Sequence, residues 1–429
     1  MKKGIQFQEF ILTILLFTYL SFLQTVKAFQ NKSNSFLENR QEQDELPSFK
    51  KIQLSNAFYG EGAAIGDLNG DGLPDVVCGP FWYEGPDFKR RNSFHKPVEF
   101  NILRYGDSNT VAVFDVNRDG KNDILVVGWR GLEAFWYENP GQSGKLSKSE
   151  SEQLEWQRHV IHPKVDNEAA AFYDLTGDGK LELVFHTDGY LEYAAIDDSD
   201  PTAPWVVTRV SSEQRNWGKW HHGLGVGDVK GNGHKDILMS EGWWENPGPD
   251  GVGTAWAYHQ ADFGPEGMQM YAYDVDGDGL NDVVTVLEAH GWGLAWFRQI
   301  RSGDSIQFEK HLIMGASMSD NPYGVRFSQP HALAITDIDG DGLRDLITGK
   351  RYFAHGPIGD IEPLAPAVLY GFVQKRGTDG KVNFIPYLID DNSGVGNQIS
   401  VGDLTGNGYP DIVTCNKMGC FVFINQLGR

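Results

Sequence analysis

Apolar positions along this chain recur with a period of two, in short runs separated by polar, glycine-rich segments. Ala63-Ala64-Ile65-Gly66 precedes one such segment, and Asp75-Val76-Val77 follows it; Asp123-Ile124-Leu125-Val126-Val127 follows the next. Runs this short, rich in β-branched residues and bounded by turn formers, predict strands. An aromatic run comes next, as in Phe135-Trp136-Tyr137, Gly242-Trp243-Trp244, Ala295-Trp296-Phe297 and Phe421-Val422-Phe423. A turn such as Glu138-Asn139-Pro140-Gly141 or Glu245-Asn246-Pro247-Gly248 often follows, and then a fourth run, as at 155–161, 205–210 and 308–313.

The polar segment is itself a repeat. It reads Asp67-Leu68-Asn69-Gly70-Asp71-Gly72-Leu73-Pro74-Asp75 and starts again at Asp115, Asp174, Asp228, Asp274, Asp337 and Asp403, at intervals of 48, 59, 54, 46, 63 and 66 residues. Periods of this size predict a propeller or solenoid rather than separate domains. Four strands per period make a propeller blade. The expected fold is therefore all-β, a seven-bladed β-propeller of four-stranded blades over residues 48–429. After the seventh segment only two strands remain. The missing outer strand is present at the other end of the chain, from Phe49 to Leu54, where it is expected to close the ring and remove its open edges.

The first 47 residues are different in kind. Lys2 and Lys3, an apolar stretch from Phe10 to Leu23, and Val26-Lys27-Ala28 predict a signal peptide at 1–28, cleaved after Ala28. Secretion or a periplasmic location follows, with no membrane span after cleavage. Residues 29–47, polar and rich in Asn, Ser, Gln and Glu, predict a disordered lead-in. Among the three cysteines, Cys415 and Cys420 flank a turn and either pair across it or stay as thiols beside Cys78.

Only 22% of residues are charged, yet the net charge is −21. That excludes a basic nucleic-acid footprint and calls for a cation. Apart from Lys230 in the fourth copy, carboxylates, amides or hydroxyls stand at positions one, three, five and nine of the repeated segment, and Gly stands at position six throughout. Alternate oxygens around a sharp Gly turn are the spacing of a calcium loop. The expected ligands are Asp67, Asn69, Asp71 and Asp75; Asp115, Asn117, Asp119 and Asp123; Asp174, Thr176, Asp178 and Glu182; Asp228, Asn232 and Asp236; Asp274, Asp276, Asp278 and Asp282; Asp337, Asp339, Asp341 and Asp345; and Asp403, Asn407 and Asp411. Loops five and six, with four carboxylates each, should bind Ca²⁺ most tightly. Loops four and seven, with Lys230 and Thr405 at position three, should bind it weakly or not at all.

These segments resemble the FG-GAP/VCBS repeat of integrin-α-like propellers and of many secreted bacterial proteins. The resemblance implies calcium as a structural ion and no single activity. Outside the loops, Trp220-His221-His222-Gly223-Leu224-Gly225, Glu241-Gly242-Trp243-Trp244-Glu245-Asn246-Pro247 and the stretch from His331 to His355 resemble the propeller domain of aldos-2-ulose dehydratase. That resemblance implies elimination of water from a keto-sugar.

Strand order places the Asp loops on one face, so the remaining connections belong to the other. Six residues before each first Asp stand Glu61, Asn109, Glu168, His222, Met268, His331 and Asn397, which should ring the central channel. The second set of connections adds Trp129-Arg130, His186-Thr187-Asp188, Glu241, Glu288 and His290, Lys350-Arg351-Tyr352, and Asn416-Lys417. Long loops at 315–330 and 350–367 bracket His331, and long loops in compact folds are functional. Stacking aromatics with converging charged groups is the composition of a carbohydrate site.

The expected roles are His222 or His331 as base, Tyr352 or His290 as acid, and Lys350 and Arg351 at the oxyanion. Glu168 completes the catalytic set, while Trp129, Arg130, Trp220, Glu241, Trp243 and His355 hold the substrate. His222 and His331 with Glu168 or Glu61 also have the composition of a Zn²⁺ or similar site. The competing expectation is a non-catalytic module for polysaccharide or a protein partner. Nucleophile-elbow, phosphate-loop and dinucleotide-binding motifs are absent from the sequence.

Overall fold

The computed structural model describes residues 46–141, 155–249 and 255–428. The signal peptide at 1–28 and the lead-in at 29–47, except for its last two residues, lie outside them. The described chain is all-β apart from short 3₁₀ turns such as Met318–Asp320. No helix among the described residues is long and apolar enough to cross a membrane.

Strand β1 (Phe49–Ser55) is followed by a series of antiparallel meanders. The first is β2 (Ala63–Gly66), β3 (Asp75–Cys78), β4 (Phe81–Tyr83) and β5 (Arg91–Ser93). Next come β6 (Thr110–Phe114), β7 (Asp123–Val127) and β8 (Leu132–Glu138), completed by the first half of the long β9 (Gln157–Tyr173). The second half of β9 opens the following meander with β10 (Glu182–Thr187), β11 (Tyr190–Ala195) and β12 (Val206–Arg209). Then come β13 (Leu224–Gly227), β14 (Asp236–Met239), β15 (Gly242–Glu245) and β16 (Ala257–Gln260), followed by β17 (Gln269–Tyr273), β18 (Asp282–Val286), β19 (Leu294–Ser302) and β20 (Ser305–Met314). The last full set is β21 (Pro330–Thr336), β22 (Asp345–Lys350), β23 (Leu369–Arg376) and β24 (Val382–Asp390). The chain ends with β25 (Ile399–Gly402), β26 (Asp411–Asn416) and β27 (Gly419–Asn425).

The arrangement is propeller-like. β1 pairs antiparallel with β27, from Phe49 opposite Asn425 to Ser55 opposite Cys420, so the first strand completes the last sheet. First strands of successive meanders lie beside one another: β13 and β17 pair in parallel, and Glu61 N donates to Ser108 O at 2.8 Å. Asn397 N donates to Glu61 O at 2.9 Å, joining the end of the series to its beginning.

Burial explains why these runs form strands. Second strands such as β3, β7 and β14 are buried at every position, because a neighbouring sheet covers each face. The outermost β12 and β16 are mostly exposed or half-exposed. Large aromatics fill the spaces between sheets; Trp136, Trp243 and Trp244 are each 1% exposed or less. Burying a large apolar side chain contributes on the order of 1.5–3 kcal/mol.

One expectation is corrected. Cys415 and Cys420 do stand opposite each other on β26 and β27, but the bond joins Cys415 to Cys78 on β3, with Cα atoms 6.1 Å apart. The first and last sheets share one apolar layer that includes all three cysteines, so a partner from the neighbouring sheet lies as near as the cross-strand one. Cys420 remains a buried thiol, and burial pushes its pKa far up. Titration with a thiol reagent should therefore find no reactive thiol in the native protein and one after unfolding. Replacing Cys78 with Ala should cost about 2–5 kcal/mol in denaturant unfolding, since the bond closes a loop across a sequence separation of 337.

Candidate functional site

The seven residues counted back from the Asp loops are all buried: Glu61, Asn109, Glu168, His222, Met268, His331 and Asn397. Each precedes or begins the first strand of its meander, which turns it inward. Asn397 lies 3.1 Å from Asn109 through their amide groups, and with its amide turned over it also bonds Glu61 and Arg130.

Around Glu168 the charges converge. Arg130 pairs directly with Glu168, and Arg351 pairs with Glu61. Arg351 Nη1 also lies 3.4 Å from Glu168 and 2.8 Å from His331 Nε2. The Nε2 atoms of His222 and His331 each stand 3.4 Å from Glu168 Oε2. The His290 ring completes the group, 5.0 Å from His222 and 4.8 Å from His331 between centroids. Burial, then Arg351 and the neighbouring imidazoles, hold His331 well below its ordinary pKa, so it is neutral. Burial lowers His222 as well.

The cluster opens toward the loop at 353–364. There Asp360 binds His355 twice, accepting from its backbone N–H at 2.8 Å and lying 2.7 Å from its Nδ1. The His355 ring stacks obliquely on His290 at 4.5 Å, and its side chain is 44% exposed. Beside it, Tyr105 stacks on Trp129 at 4.2 Å, and Trp129 meets Trp220 edge-on at 5.6 Å. Arg130 lies over Trp129, 4.5 Å from its centroid. Trp220 is 47% exposed.

Several expected residues fall outside this cluster. Tyr352 stacks on Phe353. Lys350 donates to Ser328 Oγ at 2.8 Å, and burial lowers its pKa to about 8. Glu241 accepts from Trp217 Nε1 at 2.5 Å and faces His221 at 3.7 Å, in a neighbouring recess. Trp243 belongs to the core, stacked on His259 and packed among Val229, Leu238 and Phe263. The outer-strand histidines repeat one device: His159, His259 and His311 stack on Trp136, Trp243 and Trp296. Sequence reasoning missed Tyr105, Glu266 and Asp360. All three sit in irregular loops, where no period marks an inward position.

Lys417 closes the inner wall, donating to Phe353 O at 2.7 Å and lying over the Tyr105 ring. Burial, partly offset by Glu61, lowers its pKa from 10.5 to about 8. Between those two values the unfolded chain holds more protons, so stability rises with pH there. In urea unfolding, wild type should gain about 1–3 kcal/mol on Lys417→Met between pH 8 and pH 10.

On the opposite connections, the Asp loops share one geometry. Position one accepts backbone N–H groups of its own loop, as Asp67 does from Gly70 and Gly72 at 2.7 and 2.8 Å. The position-six glycines all have φ between 83° and 88°, the left-handed region that a side chain would strain. Position nine is a clasp between strands. Asp345 accepts from Ile338 N at 2.9 Å and from Gln374 N at 2.8 Å, and Asp75, Asp123, Asp236, Asp282 and Asp411 do likewise.

Residues 115–185 match the profile of the FG-GAP-like repeat. The chain carries an FG-GAP-like repeat. That FG-GAP-like segment runs from the second Asp loop into β10 and so includes Arg130 and Glu168 of the inner cluster. A T-cell immunomodulatory protein homolog of Plasmodium falciparum is 24% identical over 201 residues, covering 40% of this chain and 27% of that protein. Among solved structures, an Agrocybe aegerita lectin specific for non-reducing terminal N-acetylglucosamine aligns with 18% identity and a TM-score of 0.44, over 80% of this chain and 81% of its own. The rhamnogalacturonan lyase YesW aligns with 15% identity and a TM-score of 0.43, over 88% and 75%. The V. cholerae biofilm matrix protein Bap1 aligns with 13% identity and a TM-score of 0.33, over 84% and 46%.

The Asp loops are not equivalent. In loops five and six, oxygens of Asp274, Asp276 and Asp282, and of Asp337, Asp339 and Asp345, lie within 4.8 Å of one another. Arg298 pairs with Asp276 and Asp278 beside loop five, and Lys375 with Asp339 and Asp341 beside loop six. In loop seven the Asn407 amide turns toward the carbonyls of Asn425 and Leu427.

Proposed function

We propose that residues 48–429 form a closed seven-bladed propeller, secreted through the N-terminal signal, that eliminates water from a keto-sugar at the mouth formed by His355, Trp129 and Trp220. The observation that carries this is the His355–Asp360 pair. An exposed imidazole is oriented through Nδ1 by a buried carboxylate, next to an aromatic stack and two buried guanidinium groups.

The chemistry follows from those positions. Asp360 keeps the Nδ1–H tautomer, so Nε2 of His355 takes the proton next to the sugar carbonyl. The C–H electron pair becomes the enolate, whose negative charge Arg130 and Arg351 favour. When the enolate collapses, the hydroxyl on the β-carbon leaves and takes the proton back from His355, so one water is lost and the base is restored. His331 does not fit the role of base, because it is 0% exposed and its Nε2 already accepts from Arg351. Trp129, stacked on Tyr105, and the half-exposed Trp220 beside it offer the flat surfaces on which sugar rings pack.

The loops fit Ca²⁺ as a structural ion, best at loops five and six, where three carboxylate oxygens converge. The ion would neutralise the cluster and tie strand to strand. The second reading, a non-catalytic polysaccharide-binding module, rests on the exposure of Trp220 beside the same stack.

Incubating the calcium-loaded protein with 1,5-anhydrofructose and with 3-keto-glucosides, followed by proton NMR, separates the two. The lyase reading expects a vinylic proton and loss of one water. Saturable binding with no conversion of any keto-sugar supports the module instead.

A further inference from the structure

We infer that Arg298 and Lys375 are tethered cations that occupy loops five and six when calcium is absent and give way when it binds. The inference rests on the calcium reading of those two loops. Arg298 Nε donates to Asp276 Oδ2 at 2.7 Å, and its Nη2 donates to Asp278 Oδ2 at 3.2 Å. Lys375 Nζ donates to Asp339 Oδ2 at 2.9 Å and to Asp341 Oδ2 at 2.7 Å. Each cation thus spans positions three and five of its loop. Asp276 and Asp339 also belong to the converging oxygen sets that fit an ion. A side-chain cation and Ca²⁺ cannot both hold those carboxylates at full strength, because the two charges repel each other.

The repeats themselves show that the cation goes with the charge of the loop. Both basic residues flank the residue that the position-nine carboxylate clasps, Gln299 and Gln374. In the first, second and fourth meanders the residue just before the clasped Gly85, Asn139 or Asn246 is an acid, Glu84, Glu138 or Glu245. Position three there is Asn69, Asn117 or Lys230; Glu138 accepts from Asn117 at 3.3 Å, and Glu245 pairs with Lys230. In the seventh, position three is Thr405, and the clasped Asn425 has the uncharged neighbours Ile424 and Gln426. Among these six meanders, a base stands beside the clasped residue only where position three is Asp. A repulsive cluster is thereby neutralised before any ion arrives, and the tether keeps the effective concentration of the competitor high. Both cations are free to move, since the Arg298 side chain is 41% exposed and that of Lys375 40%. Beside Arg298 lies a cavity of about 450 Å³ between the fifth and sixth meanders, lined also by Trp296, His311, Tyr323 and Phe384, which receives the guanidinium when it leaves Asp276.

The test uses the full chain, stripped with a calcium-selective chelator and titrated with Ca²⁺ in a calorimeter. Asp274→Asn combined with Asp337→Asn identifies the heats that belong to loops five and six. Arg298→Met combined with Lys375→Met keeps the apolar stems and removes the charges, and should tighten those sites about 10–100-fold. The same variant should unfold about 2–4 °C below wild type without calcium and at the wild-type midpoint with saturating calcium, since the pairing exists only in the calcium-free state. Arg298→Lys should bind calcium as wild type does, because it keeps the charge. Affinity unchanged or weakened in the double Met variant overturns the inference and makes both bases supports of the bound state. Heats that appear only in that variant support it, with the tethered cation holding the loop in wild type. Absence of these heats in wild type and variant alike overturns the calcium reading of the two loops, and the exchange with it.

Discussion

Replacing His355 with Ala should lower kcat for keto-sugar elimination by about 10²–10⁴-fold, the usual contribution of a positioned general base. KM should change little, because the proposed mode of binding packs the sugar on Trp129 and Trp220 rather than on the imidazole. Stability should change by less than about 0.5 kcal/mol, since the side chain is 44% exposed and packs on no core layer. Asp360→Asn tests the orientation separately. It keeps the shape of the loop but weakens the contact that holds the Nδ1–H tautomer, so kcat should fall again while KM is kept. Stopped-assay kinetics on purified variants, with thermal unfolding as the control, check both. An unchanged kcat in His355→Ala removes the imidazole from the mechanism.

Removing calcium should lower the unfolding midpoint by about 10–20 °C. A ligand held at 100 times its dissociation constant contributes about 2.7 kcal/mol per site. Loops five and six together therefore supply about 5 kcal/mol, and each kcal/mol is worth roughly 2–4 °C in a large domain. Calorimetry with and without a calcium-selective chelator measures this. Asp274→Asn combined with Asp337→Asn should make the midpoint markedly less sensitive to the chelator, whereas Asp403→Asn in loop seven should leave that sensitivity unchanged. Asp345 is a poor choice for the same test, because its carboxylate also clasps Ile338 and Gln374, and its loss costs stability with or without an ion. A midpoint indifferent to chelation in wild type contradicts a structural role for calcium.

The strands were legible because their signal is local. A period of two, β-branched residues and Gly-rich turns mark β3, β7 and β14 directly, and the Asp loops mark where one strand of a meander turns into the next. The pairing of β1 with β27 was legible for a global reason, as the only strand left over at one end matched the one missing at the other. Counting six residues back from each first Asp found the inward ring, because the first strand of each meander begins at the same depth. What stayed hidden depends on packing across sheets. Trp220 and Trp243 read alike, yet one is half-exposed at the mouth and the other sits in the core, since burial of β15 on both faces erases the alternation that would separate them. The Cys78–Cys415 bond spans nearly the whole chain, beyond any local pattern. Asp360 and Glu266 come from irregular backbone, and the pairing of Arg130 with Glu168 joins different meanders.

A crystal of His355→Ala soaked with a keto-sugar addresses the central claim most directly, because the variant binds without consuming its ligand. The account predicts the sugar ring against Trp129 and Trp220, its reacting C–H about 3–3.5 Å from where the missing imidazole nitrogen stood. A sugar bound only elsewhere on the molecule, with this mouth empty, would contradict it.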